Sequence, residues 1–253
     1  MDDADDRIAG DHDCSVMTPS GWKVLDTGVA SATENMAMDA RLLEGLSASD
    51  GTPILHLYDW EAPSATYGYF IEPAQLLSDG AAALQLARRS TGGGMIFHIA
   101  DWAFSVLVPA QHAAYSVNTL DNYAYVNALV IELVRRFAGR HVTPSLLPGE
   151  PSSADRHARH FCMAKPTRYD VMVGGRKVGG GAQRRTRHGF LHQGTISLAL
   201  PDEAFLEKVL LPGTAVATAM RQHTCALLPG TPTTQQIQEA RHTLAKLFKQ
   251  LVS

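Results

Sequence analysis

The sequence predicts an α+β fold in which mostly antiparallel sheets are flanked by helices. Short segments with strand-like alternation follow one another with few helices between them, which is typical of antiparallel sheets and not of βαβ units. Helical periodicity is confined to three segments. The chain has 253 residues, of which 45% are hydrophobic and 19% are charged. That is enough to bury one good core.

The amino-terminal half is predicted to place strands around one capped helix. Ser31 opens this helix, because Glu34 follows it at the spacing of a capping box. Residues 85–89 lead into residues 90–94, which form a loop by composition. The predicted strands are 22–26, 53–58, 65–70, 95–97 and 103–108, with the last two paired to each other.

The carboxy-terminal half is predicted to contain two helices and a hairpin. Residues 120–137 form the first helix, which stops at Gly139, and residues 233–251 form an amphipathic terminal helix. The last 50 or so residues are expected to pack as a small helical appendage. The remaining elements are a proline-rich loop at 144–155, a strand at 168–173, a turn at Gly174-Gly175, a return strand that starts at 176–178, and a strand within 190–200.

The amino terminus, the apolar runs and the cysteines argue against several classes of protein. Residues 1–19 are acidic and are expected to be a disordered tail, and residues 20–253 are expected to form one domain with a C-terminal helix. The start of the chain does not resemble a secretory signal, and no 18-residue apolar run indicates a membrane span. The three cysteines are odd in number and widely spaced, which argues against a disulfide framework and against a metal site. A cytoplasmic protein without a membrane partner is expected.

The charge distribution argues against a nucleic-acid partner. The formal net charge is −3, whereas nucleic-acid binders are normally basic. Residues 156–188 are the local exception, with nine Lys or Arg against one acid, Asp170. This segment is either a solvated basic face or a docking face for an acidic partner or an anionic substrate.

Two glycine-rich clusters are candidates for ligand contact. The first is Arg88-Arg89-Ser90-Thr91-Gly92-Gly93-Gly94, followed by His98 and Asp101. Consecutive glycines let the backbone approach a ligand and offer N–H donors, and arginines suit an anion, although a surface hairpin would look similar. The second cluster is Lys177-Val178-Gly179-Gly180-Gly181-Ala182-Gln183, with His192-Gln193-Gly194-Thr195 after it. Lys177 can hold a carbonyl, carboxylate or phosphate oxygen, whereas a lone histidine such as His192 is more often structural.

Cys162 is the candidate nucleophile. It lies within the basic segment, where nearby Arg and Lys favour the thiolate over the neutral thiol. The alternative is an inert, buried apolar cysteine.

Taken in order, these motifs resemble the lipoate–protein ligase and octanoyltransferase family. Arg-Arg-x-Thr-Gly-Gly-Gly, a following histidine, Lys-Val-x-Gly-x-Ala-Gln and His-Gln-Gly-Thr occur at matching spacing, and the resemblance extends from about Trp22 to Pro201. It implies the fold of a biotin/lipoate protein ligase catalytic domain. It also implies that Cys162 and Lys177 are catalytic. The substrate-binding residues that it implies are Arg89, Thr91, Gly92, Gly93, Gly94, His98, Gly180, Ala182, Gln183, His192, Gly194 and Thr195.

The resemblance leaves two chemistries and a non-catalytic alternative. A transferase would move an octanoyl or lipoyl group from acyl carrier protein to a lysine of a lipoyl domain or of the glycine-cleavage H protein, without a cofactor. A ligase would activate free lipoate with ATP and Mg²⁺. Gly94 is similar to the ligases, whereas residues 98–106 and the position of Cys162, 15 residues before Lys177, are similar to the cysteine-type transferases, which we favour. Glycines at 179 and 181, where the family more often has Ser or Ala, leave open a non-catalytic paralogue that only binds lipoyl or carrier domains.

Overall fold

A computed structural model describes residues 21–139, 141–149 and 160–253 of the chain. The predicted tail at 1–19, which includes Cys14, and residues 150–155 of the predicted loop at 144–155 lie outside these residues. The described strands are β1 Lys23–Ala30, β2 Ile54–Trp60, β3 Ser64–Tyr67, β4 Gln85–Arg88, β5 Met95–His98, β6 Asp101–Pro109, β7 Ser145–Leu146, β8 Val171–Val173, β9 Arg176–Thr186 and β10 Gly189–Ser197. The described helices are α1 Ala32–Gly45, α2 Thr119–Ala138, α3 Glu203–Val209, α4 Val216–His223 and α5 Thr234–Val252. None of these helices is long and apolar enough to cross a membrane.

The larger sheet has seven strands in the order β1-β2-β6-β10-β9-β8-β7. Adjacent strands in this sheet are antiparallel, except for the pair β1 and β2, which is parallel. The predicted α+β class with mostly antiparallel sheet is therefore confirmed. The prediction of no βαβ unit is wrong at one place, because α1 connects the parallel pair β1 and β2. The predicted capping box forms: Glu34 N–H donates to Ser31 Oγ at 3.2 Å, and Ser31 N–H donates to Glu34 Oε2 at 3.0 Å. The helix lets the chain return to the same end of the sheet, which a parallel pair requires.

The smaller sheet contains three strands in the order β4-β3-β5. The predicted pairing of residues 95–97 with 103–108 is wrong, because β5 pairs with β3 whereas β6 pairs with β2 and β10. Only Ile99 and Ala100 separate β5 from β6, and at this point the chain passes from the smaller sheet to the larger one. Every residue of β6 is buried, as expected for a central strand covered on both faces.

Helices α2 and α5 cover one face of the larger sheet and form the main core with it. Leu244, Phe248 and Leu251 of α5 pack in the same buried cluster as Phe104 and Phe190 of the sheet. The predicted helical appendage is therefore wrong for α5, which belongs to the central core. Helices α3 and α4, which the sequence analysis did not predict, pack on the smaller sheet. Their seven and eight residues are too short for periodicity to show.

Strand β9 is the largest departure from the prediction. The sequence analysis predicted only that a return strand starts at 176–178 and treated residues 177–183 as a glycine-rich cluster, whereas β9 continues through the glycines to Thr186. It pairs with β10 from Gly189 opposite Thr186 to Ile196 opposite Gly179. The turn before β9 is as predicted, with φ values of 56° at Gly174 and 75° at Gly175. The backbone pairing with β10 compensates for the low strand propensity of glycine.

Candidate active site

A cavity of about 370 Å³ lies between the loop Gly92–Gly94, called the glycine loop below, a short 3-10 helix at Cys162–Ala164, and β9. The predicted residues Cys162 and Lys177 both line it. Its other walls come from α2, from β5, from the end of β10 and from loop residues. The residues that line the cavity are Ile71, Gly93, Gly94, Ile96, Tyr123, His160, Phe161, Cys162, Met163, Lys165, Thr167, Lys177, Gly180, Gly181, Ala182 and Thr195. Apolar side chains and a few polar groups therefore converge on one space, as in small-molecule sites.

The thiol of Cys162 faces the glycine loop. The Gly94 N–H donates to Cys162 Sγ at 2.9 Å. Gly93 has a φ of +83°, and a Cβ at this position would lie 3.2 Å from the sulfur. Cys162 is half-buried and free. A backbone N–H that donates to sulfur stabilises the thiolate, which is the nucleophilic form.

Lys177 lies beside the backbone of Cys162. Its Nζ donates to the Cys162 carbonyl oxygen at 2.9 Å and lies 2.8 Å from Asp170 Oδ2. The lysine is buried, with 4% of its surface exposed. An ammonium group has three N–H donors, and the contacts within the described residues occupy two of them. The third can reach a ligand oxygen in the cavity.

Asp170 is a residue of the site that the sequence analysis did not select. A turn holds its carboxylate: Thr167 N–H donates to Oδ2 at 2.6 Å and Thr167 Oγ1 donates to it at 3.0 Å. Tyr169 takes a left-handed φ of 68° in this turn, and its carbonyl accepts from Asn127 Nδ2 at 2.8 Å. The signal that could have identified Asp170 is its position as the only acid in the basic segment.

The glycines of β9 leave space for neighbouring side chains. A Cβ on Gly180 would lie 2.4 Å from Asp170 Oδ1 and 2.8 Å from Lys177 Nζ, so Gly180 makes room for the ion pair. A Cβ on Gly181 would lie 2.2 Å from His192 Nε2. Close packing thus accounts for the glycine at 181, where the resemblance leads one to expect Ser or Ala.

His192 and Gly194 lie on the face of β10 that packs against the main core. Gln183 Nε2 lies 2.9 Å from His192 Nδ1, and burial lowers the pKa of His192 to about 3, so its ring is neutral. A Cβ on Gly194 would lie 2.3 Å from the ring of Phe104. The Gln183 N–H donates to the hydroxyl of Tyr123 at 2.9 Å. Of these residues only Tyr123, which the sequence analysis missed, lines the cavity.

The predicted binding residues Arg89, Thr91, Gly92 and His98 do not line the cavity either. Arg89 Nη2 donates to the carbonyls of Gly94 at 2.6 Å and Gly92 at 3.2 Å, and Thr91 Oγ1 donates to Gln193 Oε1 at 2.7 Å. These bonds hold the glycine loop from behind. The described residues contain no group of three His, Cys, Asp or Glu that could hold a metal ion.

A free thiol, a buried lysine and a backbone N–H around one cavity are the groups that acyl transfer through cysteine requires. The fold and the site thus define a class of acyl-transferring enzymes. Residues 31–249 match the model of the lipoyl protein ligase A/B catalytic domain. The chain belongs to this family, as its motifs predicted, and it is an acyltransferase.

Curated relatives agree with this assignment, and solved structures share the fold. The octanoyltransferase LipM of Anoxybacillus flavithermus is 30% identical over 207 residues, which cover 80% of this chain and 74% of the relative. LipM of Bacillus subtilis is 26% identical over 211 residues, which cover 82% and 76%. The bi-partite lipoate protein ligase of Thermoplasma acidophilum has a TM-score of 0.64 at 20% identity, covering 92% of this chain and 84% of that one. A lipoate-protein ligase A bound with ATP has a TM-score of 0.61 at 20% identity, covering 92% and 85%. The solved structures share the fold.

Proposed function

We propose that the protein transfers an octanoyl or lipoyl group from acyl carrier protein to a lysine of a lipoyl domain or of the glycine-cleavage H protein. The acyl group passes through a thioester on Cys162. The observation that supports this proposal is the position of Cys162 Sγ, which lines the cavity and accepts the Gly94 N–H at 2.9 Å. The relatives named octanoyltransferase support the choice of acyl group. A carrier-protein donor implies a cytoplasmic enzyme.

In the first step, the Cys162 thiolate attacks the carbonyl carbon of the donor thioester. The new C–Sγ bond forms as the bond to the donor sulfur breaks, and the donor leaves as a thiolate that takes a proton from water. Negative charge develops on the carbonyl oxygen, and Lys177 Nζ is the cation that can hydrogen-bond it from the cavity wall. Asp170 holds this lysine in place, because its Oδ2 lies 2.8 Å from Nζ.

In the second step, the acceptor lysine attacks the acyl-enzyme as a neutral amine. The C–N bond forms, the C–Sγ bond breaks, and the thiolate of Cys162 is restored while the amine nitrogen loses a proton to water. Because a free lysine amine is mostly protonated at neutral pH, the rate should rise with pH until another group limits it. Neither step requires a cofactor.

Intact-mass measurement after mixing with octanoyl carrier protein tests the first step. The protein should gain the mass of one octanoyl group, and Cys162→Ala should gain none. Cys225→Ala is the matched control, because Cys225 is also free and half-buried, and burial raises the pKa of its thiol. This control should acylate as the wild type does. Full transfer activity in Cys162→Ala would refute the proposal.

The ATP-dependent ligase is the alternative that the same protein preparation can test. Lipoate with ATP and Mg²⁺ should release no pyrophosphate above background if transfer proceeds from the carrier protein. Pyrophosphate release that depends on lipoate and persists in Cys162→Ala would establish the ligase instead. Binding of the acceptor without turnover of either donor would indicate a non-catalytic protein.

A further inference from the structure

Arg89 is a buried cation that has no ion pair among the described residues. The side chain is 3% exposed. Its guanidinium donates to the carbonyls of Gly92 and Gly94 through Nη2, and to Thr66 Oγ1 at 2.7 Å through Nη1. These acceptors are neutral, and a buried charge is costly unless an opposite charge lies close to it. The surroundings of Arg89 therefore favour a neighbouring anion.

The sulfur of Cys162, which becomes an anion when the thiol ionises, lies close to Arg89. Both groups lie against Gly93: a Cβ there would be 3.2 Å from Cys162 Sγ and 3.5 Å from Arg89 Nη2. Burial lowers the pKa of the Arg89 guanidinium, and the charge on Cys162 acts in the opposite direction. Gly94 links the two groups a second time, because Arg89 binds its carbonyl while its N–H donates to the sulfur.

A chain of buried hydrogen bonds holds Arg89 from the other side. Arginine can only donate, so Thr66 Oγ1 accepts from it, and the same oxygen lies 2.8 Å from His98 Nε2. A carboxylate can only accept, so His98 Nδ1 donates to Asp101 Oδ2 at 2.8 Å. Thr195 Oγ1 donates to the same oxygen at 2.5 Å. Burial raises the pKa of Asp101, but the interactions with His98 and its other partners outweigh this and leave the pKa below its ordinary value.

We propose that Arg89 is the buried cation that stabilises the Cys162 thiolate, and that Thr66, His98 and Asp101 are positioning residues that fix the guanidinium. This inference rests on the proposed role of Cys162 as the nucleophile. In this proposal Arg89 acts on the sulfur of Cys162 and His98 positions Arg89. The family resemblance implied instead that both residues contact the substrate. The indole of Trp60 stacks on His98, with ring centroids 4.1 Å apart, and restrains the ring.

Other titratable groups also face the sulfur and contribute to its pH dependence. His160, Lys165, Lys177 and Tyr123 line the same cavity, and Lys177 is paired with Asp170. Burial raises the pKa of Tyr123 to about 12, so its hydroxyl stays neutral near pH 7. These groups are the same in every variant below. A difference in labelling between variants therefore reports on the hydrogen-bond network of Arg89, Thr66, His98 and Asp101.

The test is the rate of Cys162 alkylation by iodoacetamide, followed by peptide mass spectrometry from pH 5 to pH 10. Thr66→Val keeps the side-chain shape but removes the hydroxyl. It should slow labelling about tenfold at pH 7 and move the pH profile up by about one unit, because alkylation follows the thiolate fraction. Thr66→Ser retains the hydroxyl and should restore the wild-type profile.

Thr27→Val is the matched control. Its hydroxyl also contacts a buried histidine, His56 Nε2, at 2.9 Å. That network continues through Asp39 and Gln193 to Thr91 of the glycine loop, and its side chains make no hydrogen bond to the Arg89 guanidinium among the described residues. This control should label like the wild type. If Thr66→Val does not fold, Asp101→Asn is the second variant. It removes the negative charge at the end of the hydrogen-bond network that starts at Arg89, and it must shift the pH profile of labelling in the same direction.

A folded Thr66→Val or Asp101→Asn variant with the wild-type labelling profile would overturn the inference. Iodoacetamide needs no acyl donor, so this result is independent of whether an octanoyl thioester forms. A shifted labelling profile without any octanoylation would leave the role of Arg89 intact and refute the proposed function instead.

Discussion

Two runs of three glycines each contribute two residues to the lining of the same cavity, and they serve it in different ways. In the loop Gly92–Gly94, the backbone itself acts: Gly93 takes a φ of +83°, and Gly94 presents its N–H to Cys162. In the strand segment Gly179–Gly181, φ is not in the left-handed region, and the glycines make room for side chains. The same composition thus supplies a hydrogen-bond donor in one place and space in the other. A substitution that displaces the loop backbone should therefore affect chemistry directly, and one in the strand should act through the side chains that it displaces.

The largest effect is expected for Gly94→Ala. A Cβ there would lie 2.2 Å from the carbonyl oxygen of His160, so the loop must move and withdraw its N–H from the sulfur. We expect a loss of about 100-fold in single-turnover octanoylation, which is the order found when one preorganised N–H donor is removed from an active site. The matched control is Gly92→Ala, because a Cβ at Gly92 meets nothing within 4 Å. Equal losses in the two variants would contradict the assigned role of the Gly94 N–H.

Gly180→Ala should have the next largest effect. Its Cβ would overlap the ion pair of Asp170 and Lys177, and separating a buried pair leaves an uncompensated charge. We expect the acylation rate to fall by about tenfold or more, together with a lower melting temperature. Steady-state kinetics and thermal melts measure both quantities. Wild-type acylation with an intact melting temperature would show that the pair tolerates displacement.

Gly181→Ala should act on stability through His192. The added Cβ would lie 2.2 Å from Nε2 of a fully buried ring, and overpacking of this kind costs about 1–3 kcal/mol in the free energy of unfolding. The effect should be much smaller when His192→Ala is already present, because the obstacle is then gone. A double-mutant cycle in urea measures this coupling. If the losses in the free energy of unfolding for Gly181→Ala and His192→Ala are additive, the added Cβ does not clash with His192.

The smallest effect in this series, taken over the single pH unit from 6 to 5, is a pH dependence of stability that comes from the same histidine. Burial lowers the pKa of His192 to about 3, below its unfolded value, so the folded state binds fewer protons between the two values. This contribution to stability is complete above about pH 6.5 and is lost as the pH falls toward 3, by about 1.4 kcal/mol per pH unit. His192→Gln should flatten that part of the curve relative to wild type. An unchanged slope in urea titrations between pH 6 and 5 would show that the imidazole does not remain neutral.

Local patterns in the sequence were sufficient for much of the fold. The capping box at Ser31, the stop at Gly139 and the turn at Gly174-Gly175 depend on neighbouring residues, and all three form as predicted. The partner of β5 could not be predicted in this way, because strand pairing depends on residues distant in the chain. The same limit applies to α5, whose periodicity predicted an amphipathic helix but not its place in the central core.

The sequence by itself determined the family and the prediction that Cys162 and Lys177 act together, because the motif residues and their order are properties of the chain. Only the tertiary structure decided which of the other predicted residues touch the cavity. Gly180 and Thr195 do, whereas Arg89 and His98 lie behind the loop and His192 faces the core. The physical reason is that a side chain's direction is set by pleat, register and the packing of distant elements. Asp170 shows the same limit: its carboxylate reaches Lys177 only because a turn and the adjoining strand β9 bring them together.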